Sequence, residues 1–194
     1  MSVKKLSMTV FLVLIGFGLL TAKLDSGYKS YEIKEKKGNT MYVIFRINIP
    51  YTIQYLDNKV SSLKKKLDTA EKGKKKLQTE LSNYSILLTQ LKNNKVKKVC
   101  VFGGFNSWKT FASDKPNLLK PGSGNPDTWY TSTAVPFLVS GPGEQQFYKF
   151  VLDIGKKFTV ADGSEVEYLY VEDPLNSEKT GDGFGGYNSI LISK

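Results

Sequence analysis

Side chains suited to covalent or acid–base chemistry are scarce in this chain. It has no histidine and one cysteine, Cys100, which excludes an intrachain disulfide, a Cys/His zinc site and any histidine-based catalytic triad. No metal or cofactor is expected. Carboxylates occur in two close pairs, Glu165 with Glu167 and Glu172 with Asp173. The first pair shares one strand face, where neighbouring acids are ordinarily solvated, and glycoside hydrolysis needs two acids facing each other across a cleft. The glycine-rich run from Gly181 to Gly186 lacks the following Lys-Ser/Thr of a phosphate loop and opens a strand rather than a helix. The residues read as those of a binding or structural protein, not an enzyme.

The elements that must position these side chains fall into two unlike halves. Residues 1–100 carry 20 Lys and Arg against 7 Asp and Glu, whereas residues 101–194 carry 8 against 11, so the net charge of +10 comes wholly from the first half. Its lysines run together at Lys64–Lys66 and Lys74–Lys76, with almost no interleaved arginine or aromatic residue. That pattern points to a solvated helix face or a membrane surface, not to nucleic acid.

At the N-terminus, Lys4 and Lys5 precede an uncharged, mostly apolar stretch from Leu6 to Ala22. Residues 1–23 are expected to be a signal peptide or a membrane anchor. The poor small-residue site at Leu20-Thr21-Ala22 favours the uncleaved anchor. By the positive-inside bias the rest of the chain then lies outside the cytoplasm, membrane-anchored or secreted, and in the periplasm if the source is bacterial.

Residues 24–40 are polar and read as a linker. Residues 41–50 open with the β-branched and aromatic run Met41 to Ile49, closed by Pro50, and read as a strand. Residues 54–94 then carry apolar residues at alternating spacings of four and three, among them Leu56, Val60, Leu63, Leu67, Leu77, Leu81, Leu88 and Leu91. Such a seam is the requirement of a coiled coil and would recruit a protein partner or further copies of the chain. The register runs unbroken through Gly73-Lys74, which favours one continuous helix of roughly 55–60 Å. The alternative is a helical hairpin bent at Gly73, which would return the chain to where the preceding strand left it.

From Lys97 the signals become those of short strands: Val99 to Phe102, Trp129 to Leu138, Gln145 to Leu152, Phe158 to Val160, Glu165 to Val171 and Ser189 to Ile192. Gly, Pro, Asn and Asp turns separate them. Residues 97–194 are therefore expected to form an antiparallel β-sandwich, immunoglobulin-like in kind, in a chain that is α+β overall.

Within that half, VCVFGGFNSWK (Val99 to Lys109), Trp129, PGEQQFYKFVLD (Pro142 to Asp153), EDPLN (Glu172 to Asn176) and GGYNSILI (Gly185 to Ile192) follow one another in order. This succession resembles the glycogen-recognition domain of the AMP-activated protein kinase β subunit, a family 48 carbohydrate-binding module. The resemblance implies an α-glucan site made by two aromatic residues, Trp108 and Tyr170, with Lys149 and Asn188 at sugar hydroxyls and Phe184 reaching round the sugar chain. Tyr170 stands where the family usually has tryptophan. An insertion between Asp153 and Tyr170, read as an extra hairpin at Asp162-Gly163, and a long loop from Ser113 to Asp127 depart from the family. If Met41 to Ile49 is the family's first strand, the heptad region is an insertion before the second, and the hairpin is required.

Each of these residues also has a structural role open to it. Trp108 and Tyr148 suit a core, Lys149 a solvated strand face, Asn188 a turn cap, and Asp173-Pro174 a turn. Two functions are expected: a non-catalytic, membrane-tethered module for an α-glucan or related glycan, or a scaffold protein of an envelope complex that assembles through the heptads and docks protein on its sandwich.

Overall fold

The computed structural model describes residues 28–111, 117–183 and 186–193. The expected anchor at residues 1–23 and the expected site residue Phe184 lie outside these. Among the described residues no helix is long and apolar enough to cross a membrane.

The elements follow in the order β1 (Tyr31–Lys37), β2 (Thr40–Asn48), α1 (Ile49–Thr69), α2 (Lys74–Asn93), β3 (Lys98–Gly103), β4 (Asn117–Pro121), β5 (Thr128–Thr131), β6 (Val135–Leu138), β7 (Gln145–Thr159), β8 (Glu165–Val171), β9 (Lys179–Gly181) and β10 (Tyr187–Ile192). One curled antiparallel sheet runs β1-β2-β5-β4-β3-β7-β10-β9, with β6 paired to β2 and β8 to β7. β2 joins the two parts of the curl. It pairs with β6 through Thr40–Val43 and with β5 through Arg46–Asn48.

The linker expected at residues 24–40 is replaced in its described part by β1. Its sequence, YEIKEKK, has too little apolar alternation to announce a strand; backbone pairing with β2 makes it one. The lysines and glutamates suit an edge, where charge discourages pairing with other chains. β2 shows the period of two that a half-buried strand demands: Met41, Val43, Phe45 and Ile47 are buried, while Tyr42, Ile44 and Arg46 between them are half-exposed.

β2 passes directly into α1. The Asn48 side chain accepts the Tyr51 N–H at 2.9 Å and Pro50 occupies the first turn, two signals that start a helix. The continuous helix favoured by the heptads does not form. The helical path stops at Ala70 and resumes at Lys74, after Gly73 has turned left-handed at φ 72°. The connection, residues 70–73, spans about one helical turn of 3.6 residues, so the seam's count passes through the bend without a shift. This is why unbroken spacing failed to mark the break. The two helices pack as a hairpin, and Leu56, Val60, Leu63, Tyr84, Leu88 and Leu91 are buried in the same core as the strands.

That core is rich in rings. Phe45 lies 4.9 Å from Tyr148 and 5.8 Å from Phe137, and Phe105 lies 4.3 Å from Phe137. Tyr148, Phe150 and Leu152 of β7 are fully buried on this side; each such side chain stabilises the fold by about 1.5–3 kcal/mol relative to exposure. Three further corrections concern segment bounds. The run Trp129 to Leu138 divides into β5 and β6, the loop from Ser113 to Asp127 contains β4, and β7 continues through Phe158 as one long strand. The segment between Asp153 and Tyr170 forms the hairpin expected at Asp162-Gly163, made from the ends of β7 and β8 rather than from additional strands. It prolongs β7 and β8 into an arm, with a register shift between Asp153 and Phe158 and a turn closed by the Gly163 N–H donating to the Val160 carbonyl.

Candidate functional site

The turn after β3 is built around two residues. At Gly103 a side chain would sit 2.1 Å from the Phe147 carbonyl oxygen, so only glycine fits. Asn106 then ties the loop on both sides: its Oδ1 accepts the Gly103 N–H at 3.0 Å and its Nδ2 donates to the Lys109 carbonyl at 3.1 Å. The chain leaves this turn through Ser107 and Trp108, both left-handed at φ 53° and 58°. That conformation costs residues with a Cβ about 1–2 kcal/mol each, and such strain persists where a side chain must be held in place. The Trp108 backbone N–H donates to the Gly103 carbonyl at 2.9 Å.

The strained turn sets Trp108 edge-on to Phe102, with ring centroids 5.1 Å apart and planes at 85°. Tyr170 flanks Phe102 from β8 at 5.6 Å. Phe102 is buried, whereas Trp108 and Tyr170 are 39% and 40% exposed. Two rings thus face water over a third that does not, on the outer side of the sheet. The arm formed by β7 and β8 leaves Tyr170 beside this cluster, because Tyr170 pairs with Val151 before the register shift begins.

Lys149 lies on the same side, opposite Phe102 in the β3–β7 ladder. It is no free cation. The residue is 8% exposed and its ammonium is paired with the Asp182 carboxylate. Asp182 in turn accepts the Gly186 N–H at 3.0 Å, so Lys149 anchors the loop before β10. On β10, Ser189 faces the core opposite Tyr148. Strand alternation places its neighbour Asn188 on the outer side with Lys149, half-buried and paired in the ladder with Thr180. Trp108, Tyr170, Lys149 and Asn188 therefore share one face of the sheet.

The carboxylates next to each other in sequence point to different work. Glu172 is buried and accepts the hydroxyls of Tyr55 from α1 at 2.9 Å and Tyr84 from α2 at 2.6 Å. Burial and the neighbouring Glu172 charge hold both hydroxyls well above the ordinary tyrosine range. Lys179 donates to the Tyr55 oxygen at 2.6 Å, and burial lowers its own pKa. Asp173 turns the other way. It accepts the Tyr148 hydroxyl at 2.5 Å and the Leu175 N–H at 2.9 Å, and burial raises its pKa. Each is a structural acceptor for tyrosine: Glu172 fastens the helices to the sheet, and Asp173 fixes the turn from Asp173 to Asn176. Glu165 and Glu167 are exposed on the arm, where Glu167 lies 3.8 Å from the Lys157 ammonium.

Beyond Tyr170 the outer face runs into a cleft of about 660 Å³ between α2 and the arm. Tyr168, Tyr170, Phe158 and Val166 contribute to one side and Gln78, Ser82 and Asn83 of α2 to the other. Nothing in the sequence singled out this α2 wall, since polar residues on a helix read as a solvated face. No protein-family model matches the chain, and no curated protein matches it either.

Proposed function

We propose that the chain is a non-catalytic binding module for a glycan, an α-glucan being the ligand that its resemblance to the glycogen-recognition domain implies, held outside the cytoplasm by its N-terminal segment. The observation that carries this reading is the pair of half-exposed rings, Trp108 and Tyr170, flanking the buried Phe102. A flat ring covers the weakly polar face of a sugar, and tryptophan and tyrosine do so at small conformational cost. Asn188 supplies a donor and an acceptor at the border of that surface. Lys149, bound to Asp182, acts by positioning the loop rather than by a free ammonium.

The scaffold reading draws no support from the heptad seam, because Leu56, Val60, Leu63, Leu88 and Leu91 are buried in the chain's own core. Electrophoresis of the protein through gels containing soluble α-glucan tests the proposal. Wild-type protein is expected to be retarded, and Trp108→Ala to lose about tenfold or more in affinity, the equivalent of about 1.4 kcal/mol. Unretarded wild-type protein would remove the glucan reading.

A further inference from the structure

We infer that the cleft between α2 and the arm of β7 and β8 is the continuation of the glycan site, and that it takes the sugar units of a linear chain that extends past Tyr170. The inference rests on the glycan reading and gives it a length and a direction. Tyr170 belongs to both surfaces: it flanks Phe102 on the open face and lines the cleft. A ligand stacked on Trp108 and Tyr170 and longer than the two rings must either leave the surface or run on between these walls.

The walls differ in a way that selects the ligand. The arm offers apolar and aromatic side chains, Phe158, Val166, Tyr168 and Tyr170. The helix offers Gln78, Ser82 and Asn83 in its first half, followed by Ile86 and Leu87, and the amides and hydroxyl of the first three have no hydrogen-bond partner among the described residues. A ligand with an apolar face and a hydroxyl-bearing edge satisfies both walls at once. An aliphatic ligand would bury the amides unpaired, at about 1–3 kcal/mol per group. Lys149 and Asp182, also in the lining, are an ion pair, and Asp162 and Glu172 leave the lining with an excess of carboxylates, which repels a phosphate and admits an uncharged sugar. The volume lies within the range of about 300–1,000 Å³ of small-ligand sites.

The test measures affinity of the whole 194-residue chain for maltotriose and maltoheptaose by titration calorimetry. Two variants are compared with wild type. In the first, Gln78→Ala, Ser82→Ala and Asn83→Ala are combined, all of which raise helix propensity and so keep α2 formed. In the second, Ser82→Trp sets a bulky ring into the cleft. Wild type is expected to bind the longer sugar about tenfold more tightly, and both variants to bind the two sugars alike with the wild-type affinity for maltotriose. If both variants keep the wild-type preference for length, the cleft is not part of the site, while the platform at Trp108 stands. Loss of maltotriose binding in both variants, with their fold intact by circular dichroism, would also overturn the inference, because the short sugar would then depend on α2. If wild type binds neither sugar, the glycan reading falls and the cleft inference with it.

Discussion

The two sides of β7 are both shielded from water, yet by different means. Tyr148, Phe150 and Leu152 point inward into a continuous mass of rings and leucines and are fully buried. Val151, one residue away, is also fully buried, but under Cys100, Phe102 and the rings of Phe111 and Tyr168 at the molecule's surface. Lys149 beside it is covered by an ion pair. The inner side is apolar because it is the core. The outer side is apolar although half of its aromatic cover remains in water, and it is bordered by polar groups held in fixed positions. The half-exposed rings add less to stability than the buried side chains beneath them, and under the proposed function they are the surface that meets the ligand.

The comparison is sharpened by substitutions on each side. The largest effect is expected inside: Phe150→Ala should lower stability by about 3–5 kcal/mol, read from the midpoint and slope of urea unfolding. A loss near that of a surface change would mean that the inner side is not the core described. Next is the joint between helices and sheet. Tyr84→Phe deletes one donor to a buried carboxylate and should cost about 1.5–3 kcal/mol; an unchanged midpoint would show that leucines alone hold the hairpin down.

Outside, Trp108→Gly should change stability by no more than about 1 kcal/mol, because relief of the left-handed strain offsets the lost packing on Phe102. If it costs as much as Phe150→Ala, Trp108 belongs with the core and the contrast between the two sides fails. Least visible near neutrality is Cys100. Burial pushes its thiol from an ordinary 9.0 up to about 12. The unfolded thiol therefore ionises first, so its contribution to stability is fully present below about pH 9 and is lost as pH rises towards 12. Cys100→Ala should show a shallower alkaline slope than wild type in pH-dependent unfolding, the buried hydroxyls of Tyr55 and Tyr84 supplying what remains. An equal slope in both proteins would place the thiol in water.

The sequence made the self-sufficient elements legible and hid the dependent ones. β2, β3 and β8 are evident from their own alternation or apolar runs, whereas β1 and β4 exist because a neighbour pairs with them; nothing within YEIKEKK or NLLKP demands a strand. β7 looked interrupted at Gly155-Lys156-Lys157, where the register shifts but the strand continues. For the site, the motif around Trp108 was legible because a tight turn requires its glycine and asparagine locally. The burial of Lys149 was not, since its partner Asp182 lies 33 positions away. The α2 wall was hidden for the same reason: only the hairpin's return brings residues 78–83 beside β8.

That return has a second consequence, for how the chain comes together. β2 receives its neighbours late: Asn48 meets Thr128 and Phe45 meets Thr131, 80 and 86 residues away. Contacts so far apart are slow to form, because the chain between them must first give up its freedom. Here much of the intervening chain is the helical pair, whose own contacts are local. Once its two helices pack on each other, the hairpin returns the chain from β2 to β3, and the length of free chain that must be ordered before β2 meets β5 falls accordingly.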